Sequence, residues 1–215
     1  MEIIPSITVK GDSPVIVEDE RYVPFSEEGE VVSMWDLMGE LGDYDKIYLL
    51  DLNGIERNRP NFDMIQKISA RKDIWADLGA RSAETITDTF IAGADMAVVS
   101  TRTMSSMDLL EDALELSRNI IFTIVVGEGV LSMSKEIKKS SVKDLMSDAV
   151  DQGADKVMII DLSQGGFKDD LIYDMPEEDY ELYIGGIDKD PEYYEDRVDG
   201  VMLGIKEAIG YQKKS

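Results

Sequence analysis

The chain has 215 residues, 43% of them hydrophobic, and a formal net charge of −23, which fits a globular protein with a substantial core. The acidic balance argues against a nucleic-acid backbone or an anionic membrane as the main partner. The sequence contains no Cys and no His, which excludes thiol nucleophiles, disulfides, histidine-ligated zinc and Ser-His-Asp triads. Any proton transfer must therefore use Asp, Glu, Lys, Tyr, Ser or Thr.

Targeting and domain signals are the next feature of the sequence. No apolar run is long enough to span a bilayer, and residues 1–5 lack the basic flank and apolar stretch of a signal peptide. We expect a cytoplasmic protein. No linker or low-complexity segment divides residues 1–215, so we expect a single domain.

Short apolar runs separated by helical patterns recur along the chain. They predict strands at residues 3–10, 46–51, 74–78, 96–100, 120–126, 156–161, 181–185 and 200–204. Helical spacing predicts helices at 34–41, 61–68, 82–92, 107–117, 141–153 and 205–211, with short ones near 168–175 and after Pro191. The residues predicted to cap or start four of them are Ser33, Asn61, Ser82 and Ser141. Residues 14–18 predict a small hairpin, and residues 19–30 an acidic loop. Eight strands alternating with helices predict an α/β fold, a parallel (β/α)8 TIM barrel, with a doubly wound open sheet as the alternative.

The two halves of the sequence resemble each other. Residues 46–54 match residues 156–164, and both runs end in Asp-Leu, at Asp51 and at Asp161. Two further pairs of segments, around Gly79 and Gly186 and around Ser100 and Gly204, follow in the same order at a nearly constant spacing. The pattern predicts two similar half-barrels, roughly residues 1–118 and 119–215.

Candidate catalytic residues follow the predicted strands. The active face of a TIM barrel lies at the C-terminal ends of its strands, where Asp51, Asp161 and, in reserve, Asp77 are candidates for proton transfer. Lys10 is a candidate for stabilising negative charge or forming an imine. An Asp at a strand end also often caps the following turn or pairs with a nearby cation. The sequence leaves both roles open for Asp51 and Asp161.

Candidate phosphate ligands lie in the same loops. Gly185, Gly186 and Gly204 would place backbone amides at the start of a short helix, where barrels commonly bind phosphate, although an ordinary turn is the alternative. The mirrored site of the first half is less regular, because Asp77 and Leu78 stand where the second half has Ile184 and Gly185. Its candidate residues are Gly79, Arg81, Ser100 and Thr101. Arg81 could bind an anion or pair with Glu84.

Four segments together resemble the HisA/HisF family, which comprises the ProFAR isomerase and the cyclase subunit of imidazole glycerol phosphate synthase. They are Ile3–Lys10, Leu49–Gly54, Gly79–Ser82 and Ile184–Ile187. The resemblance covers nearly the whole chain and suggests a shortened, archaeal-type relative. It implies a (β/α)8 barrel of two halves that binds a substrate with a phosphate at each half's loop pair.

The chain departs from the family at the catalytic positions. The resemblance implies a catalytic Asp at the end of the first strand, where Thr8 stands, and a second at the end of the fifth strand, near Val125. Gly165–Phe167 replaces an Asp-Gly-Thr, and Asp77–Gly79 replaces a glycine-rich turn. The positions that match are Lys10, Asp51, Asn61, Gly79, Arg81, Gly185, Gly186 and Gly204.

Three functional hypotheses follow. The first is an isomerase or lyase that needs no cofactor and acts on a phosphorylated ribose-like metabolite. The second is a non-catalytic protein that binds a phosphometabolite or a partner on the same scaffold, which the missing carboxylates favour. The third, weaker one is an enzyme with Mg²⁺ bound by Asp51, Asp77 and Asp161. The sequence does not indicate an oligomeric state.

Overall fold

The computed structural model describes residues 1–173, 175–177 and 179–213. The strands are β1 (Glu2–Lys10), β2 (Ser13–Glu18), β3 (Arg21–Pro24), β4 (Ser26–Glu27), β5 (Glu30–Val31), β6 (Lys46–Asp51), β7 (Asp73–Asp77), β8 (Met96–Ser100), β9 (Ile120–Val126), β10 (Lys156–Asp161), β11 (Glu181–Gly185) and β12 (Gly200–Gly204). The α-helices are α1 (Met34–Glu40), α2 (Leu52–Arg57), α3 (Phe62–Ile68), α4 (Ala83–Ile91), α5 (Asp108–Leu116), α6 (Val142–Asp151) and α7 (Ile205–Gln212). Short 3-10 helices cover Ile137–Lys139, Asp169–Ile172 and Pro191–Tyr194.

Eight parallel strands close into a barrel in the order β1, β6, β7, β8, β9, β10, β11, β12. The last strand returns to the first, with Glu2 opposite Gly200 and Ser6 opposite Gly204. A side chain at Gly200 would clash, because its Cβ would lie 2.7 Å from a ring carbon of Tyr183 and 3.1 Å from the Glu2 carbonyl oxygen. The closed sheet confirms the predicted (β/α)8 barrel and shows that the open-sheet alternative is wrong.

Strands β2 and β3 form a hairpin outside the barrel. β2 pairs antiparallel with the C-terminal end of β1, where Thr8 lies opposite Val15, and β3 pairs with β2. The prediction of a hairpin at residues 14–18 is therefore confirmed. The prediction of a loop over residues 19–30 is wrong, because β3 and the small β4–β5 pair lie there. Phe25, which is 1% exposed, anchors this segment in the core among the many acidic residues that suggested a loop.

Most predicted helices are present, and their capping residues act as expected. The side chains of Ser33, Asn61, Ser82 and Ser141 each accept a hydrogen bond from a backbone N–H in the first turn. Helix α2 was not predicted. The helix expected near 168–175 is a 3-10 helix at Asp169–Ile172, and its predicted end includes position 174, outside the described residues. No helix in the described ranges combines the length and apolar composition that a membrane crossing needs.

The core consists of a barrel interior and an outer layer between strands and helices. Alternate residues of each strand point inward, and the interior cluster contains Ile4, Tyr48, Trp75, Met96, Val98, Ile121, Val125, Met158, Ile160, Tyr183 and Met202. The residues between them pack against the helices in two clusters. The alternation therefore decides which strand-end residues face the barrel mouth, by which we mean the opening at the C-terminal ends of the barrel strands.

Helix α5 offers a matched pair of leucines for testing the outer layer. Leu110 is fully buried, whereas Leu116 is 51% exposed. We expect Leu110→Ala to lower the free energy of unfolding by about 2–5 kcal/mol, because it leaves a cavity. Leu116→Ala should change it by less than about 0.5 kcal/mol. Urea denaturation measures both, and equal losses would contradict the packing described here.

Candidate functional site

The predicted carboxylates divide between the two sides of the barrel wall. On β6, Tyr48 belongs to the interior cluster, so Asp51, three residues later, points outward. On β10, Ile160 points inward, and the next residue, Asp161, therefore points outward as well. On β7, Trp75 and Asp77 lie two residues apart and share the interior face. Only Asp77 among these three carboxylates faces the inside of the barrel.

Asp51 is fully buried and caps the loop that follows its strand. One carboxylate oxygen accepts the backbone N–H of Asn53 at 2.9 Å, and the other accepts that of Asn61 at 2.7 Å. Burial raises the pKa of the Asp51 carboxyl, and the backbone N–H groups oppose that rise. The residue is the N-cap of α2, the helix that was not predicted.

Asp161 makes the equivalent contacts in the second half. Its carboxylate accepts the backbone N–H of Ser163 at 2.8 Å and that of Lys168 at 3.2 Å. The carboxylates of the two matched segments therefore have the same structural role, since each accepts two backbone N–H groups of the loop that follows its strand. The structure gives both carboxylates the capping role that the sequence left open and brings neither into the mouth.

Asp77 lies at the centre of a polar cluster inside the barrel. One of its oxygens, Oδ2, accepts a hydrogen bond from the Tyr48 hydroxyl at 3.0 Å and another from Nη2 of Arg102 at 2.8 Å. The other, Oδ1, accepts the backbone N–H of Gly79 at the longer distance of 3.3 Å. Asp77 is 0% exposed, and the Arg102 side chain above it is 17% exposed.

The protonation states in this cluster follow from burial and proximity. Burial, and then the Asp77 charge, raise the pKa of Tyr48 well above its usual value, so this phenol stays protonated and donates to Asp77. Burial lowers the pKa of Arg102, but the adjacent Asp77 carboxylate outweighs it, and the net shift is upward. Asp77 and Arg102 therefore form a buried ion pair without net charge.

Tyr48 was not among the predicted site residues, and no role was predicted for Arg102. Tyr48 sits within an apolar strand and carries no polar pattern of its own. Arg102 follows the fourth barrel strand directly, and this position at a strand end was the available signal. A contact between them through Asp77 depends on the pairing of β6 with β7 and β7 with β8.

Lys10 is the last residue of β1 and is exposed. By strand alternation it lies on the same side as Ile4, which belongs to the interior cluster. It forms no ion pair within the residues that the structure describes. Its position at the rim of the mouth is compatible with the predicted role of stabilising negative charge.

Arg81 is held by the chain itself. Its guanidinium donates to the carbonyl oxygens of Gly54 at 3.0 Å and Gly79 at 2.8 Å and to that of Ile55 at 2.6 Å. It also donates to the side chain of Asn58 at 3.2 Å. These acceptors lie on and around α2. The Arg81 side chain therefore binds this helix and does not pair with Glu84.

The other predicted ligands of the first half are engaged as well. Gly79 has a φ of +69°, and a Cβ there would lie 2.8 Å from the Gly54 carbonyl group. The Ser100 hydroxyl oxygen accepts the Arg102 backbone N–H at 3.4 Å, and the Thr101 hydroxyl oxygen accepts that of Val125 at 3.1 Å. These residues fix the loops to the barrel.

Gly185 and Gly186 have packing reasons to be glycine. A Cβ at Gly185 would lie 2.6 Å from the end of the Met202 side chain. Gly186 has a φ of +83°, and its Cβ would lie 1.9 Å from the Asp161 carbonyl oxygen. Close backbone approach accounts for Gly186 without a ligand, whereas the contact at Gly185 is with the end of a flexible side chain.

Gly204 differs, because a cleft opens beside it. It is the N-cap of α7, and no side chain caps this helix. The cleft has a volume of about 270 Å³ and lies between β1, the β2–β3 hairpin and the start of α7. It is lined by Ser6, Thr8, Val15, Ile16, Val17, Gly204, Ile205, Lys206 and Glu207.

Charged side chains flank this cleft. Lys206 pairs with Glu18 of the hairpin at 3.2 Å, and both side chains are 55% exposed. A carboxylate oxygen of Glu207 lies close enough to Gly204 that a Cβ there would be 2.5 Å from it. The cleft is therefore bordered by an exposed cation and two exposed carboxylates.

The Mg²⁺ hypothesis required three carboxylates at one place. Asp51 and Asp161 point outward, away from Asp77. In the described part of the chain, no group of three or more Asp or Glu side chains is arranged to hold a metal ion. The geometry therefore offers no ligand set for that hypothesis.

Fold and site together define a (β/α)8 barrel with a small cleft and a buried ion pair at the C-terminal ends of its strands. The model of a protein family described as "Histidine biosynthesis protein" matches residues 2–178. The chain belongs to this family, the HisA/HisF family. No curated protein matches the chain.

The capping role of the two matched carboxylates can be tested by stability. Asp51→Ala and Asp161→Ala each leave two backbone N–H groups without their acceptor, and each should lower the free energy of unfolding by about 1–3 kcal/mol. Asp155, which is 62% exposed, provides the control, because Asp155→Ala should cost less than about 0.5 kcal/mol. Urea denaturation reports all three, and wild-type stability of the first two variants would refute the capping role.

Proposed function

We propose that this HisA/HisF-type barrel binds a phosphorylated ribose-like metabolite in the cleft at the start of α7. The observation that carries the proposal is the cleft itself, where an uncapped helix start, two hydroxyl residues and a lysine meet at the C-terminal end of the barrel. Its volume of about 270 Å³ lies just below the usual range of ligand pockets, so the ligand has to be a small metabolite.

The phosphate would lie at the first turn of α7. The free backbone N–H groups there and the helix dipole favour an anion. Lys206 would leave its ion pair with Glu18 and bring its positive charge to the ligand phosphate. The exposed Glu207 side chain would move aside. Such local contacts have to overcome the repulsion of a chain with a net charge of −23.

The proposed reaction is an isomerisation or a lyase step in which Asp77 transfers the proton. Thr8, Leu50 and Asp77 are neighbours on three adjacent strands, which places Asp77 about 10 Å from Thr8 in the cleft. With its phosphate at α7, the pentose would pass Thr8 and extend toward Asp77. Lys10 would stabilise negative charge that develops on the substrate. Because Asp77 is buried under Arg102, the substrate reaches it only when this guanidinium moves.

A second, non-catalytic function is supported by the burial of Asp77. The resemblance to the family implies catalytic carboxylates where Thr8 stands and near Val125, and Asp77 is held in an ion pair. A protein that binds the phosphometabolite without turnover fits these features.

A cytoplasmic location stays a prediction from the sequence.

The role of Lys206 is tested by binding. Lys206→Ala should weaken binding of ribose 5-phosphate about tenfold, since it removes a charge-assisted contact. Lys67→Ala, which removes an exposed lysine of α3, is the matched control and should leave the affinity unchanged. Isothermal titration calorimetry measures both. Wild-type affinity in the Lys206 variant would rule out a phosphate at this position.

Replacing Asp77 distinguishes the catalytic function from the non-catalytic one. If the protein is an enzyme, Asp77→Asn should reduce turnover of a bound phosphosugar more than about 100-fold while its affinity changes little. Asp155→Asn should leave turnover intact. Mass spectrometry of phosphosugars incubated with each protein provides the readout. Binding of phosphosugars by the wild type with no conversion of any of them would favour the non-catalytic function.

A further inference from the structure

Thr123 is a further polar side chain inside the barrel. It lies on β9 between Ile121 and Val125, which both belong to the interior cluster, so strand alternation points Thr123 inward as well. Burial dominates the pKa of Tyr48, and the nearby Thr123 hydroxyl acts on this pKa in the opposite direction. Thr123 is 0% exposed. Its hydroxyl therefore belongs to the buried polar cluster around Asp77.

Two buried polar atoms of this cluster have no hydrogen-bond partner in the described part of the chain. They are the hydroxyl oxygen of Thr123 and Nε of Arg102. The nearby Tyr48 hydroxyl donates to Asp77, and Arg102 reaches the same carboxylate oxygen through Nη2 alone. This contact is a single hydrogen bond, whereas a guanidinium and a carboxylate often form two in parallel. Both unpartnered atoms therefore lie around the hydrogen bonds to Asp77 Oδ2.

The chemistry of these two atoms indicates what would complete the cluster. Nε carries one hydrogen and can only donate, and the Thr123 hydroxyl can also donate, so both can bind one oxygen. A buried polar atom without a partner lowers stability, and folded proteins contain few of them. Valine has nearly the shape of threonine and would suit the apolar strand β9 better. The hydroxyl at this position is accounted for if an oxygen from outside the chain binds it.

We propose that the Thr123 hydroxyl and the Nε–H of Arg102 together bind one oxygen of the sugar part of the ligand. This inference rests on the proposed function and adds two residues that determine specificity for a sugar phosphate over free phosphate. Arg102 is held by one hydrogen bond and its side chain is 17% exposed, so it is the part of the cluster that shifts when the sugar enters. The bound oxygen then lies beside Asp77.

The experiment compares ribose 5-phosphate with inorganic phosphate by isothermal titration calorimetry. The wild type should bind ribose 5-phosphate at least about tenfold more tightly, since only the sugar reaches Thr123 and Arg102. Thr123→Val should weaken binding of ribose 5-phosphate about tenfold and leave the affinity for inorganic phosphate unchanged. Thr123→Ser, which keeps a hydroxyl, should bind ribose 5-phosphate within about threefold of the wild type.

The contribution of Arg102 is tested in the same assay. Arg102→Lys keeps a positive charge beside Asp77 but has no Nε–H, so it should also weaken binding of ribose 5-phosphate about tenfold without changing that of inorganic phosphate. Arg57→Lys, at an exposed position of α2, is the matched control and should change neither affinity.

Stability provides a readout that distinguishes a ligand contact from a structural role. Thr123→Val should raise the midpoint of urea unfolding, because it removes a buried hydroxyl that has no partner. Thr103 is 3% exposed, and its hydroxyl donates to the Ala80 carbonyl oxygen at 3.0 Å. Thr103→Val should therefore lower the midpoint and leave the ratio of the two affinities unchanged. A decrease for Thr123→Val as large as that for Thr103→Val would overturn the inference.

The binding outcomes separate this inference from the proposed function. Equal wild-type affinities for the two ligands, or wild-type affinity of Thr123→Val for ribose 5-phosphate, overturn the inference and leave phosphate binding in the cleft intact. Loss of both affinities in a folded Thr123→Val protein also overturns it, because the effect is then not confined to the sugar. Failure of the wild type to bind either compound overturns the proposed function, and the inference with it.

Discussion

The hydrogen bonding of β12 to β1 is the contact on which the rest of the structure depends. Without it the eight strands would form an open sheet with two free edges, and their C-terminal ends would not surround a common mouth. Gly200 permits this closure, because any larger residue would collide with Tyr183 and with the Glu2 backbone. The cleft lies at this seam, where Ser6 pairs with Gly204. Barrel closure and the cleft therefore share Ser6 and Gly204.

Strand alternation decides the chemistry that the closed barrel can perform. The duplicated Asp-Leu ends place Asp51 and Asp161 on the outer side of the wall, where each satisfies two backbone N–H groups of the following loop. Loops of this kind need such an acceptor when they are buried, since an unpaired amide is costly. A carboxylate with this capping role is therefore present in both halves. The carboxylate on the interior face, Asp77, belongs to one half only.

The two halves have thus kept one architecture and diverged in their electrostatics. The first half neutralises Asp77 with Arg102 beneath the mouth and holds Arg81 against α2. The second half leaves an uncapped helix start and an exposed lysine beside a cleft. In a chain with a net charge of −23, an anion can be held only where local amides and a cation are free to meet it.

The sequence by itself determined the eight barrel strands and the N-caps at Ser33, Asn61, Ser82 and Ser141, because these depend on local patterns of apolar and capping residues. It also marked Asp51, Asp77 and Asp161 as strand-end carboxylates. Only the tertiary structure decided which of them faces inward, since a shift of one residue along a strand moves a side chain to the opposite face. The pairing of Asp77 with Tyr48 and Arg102 likewise joins three strands that only barrel formation brings together.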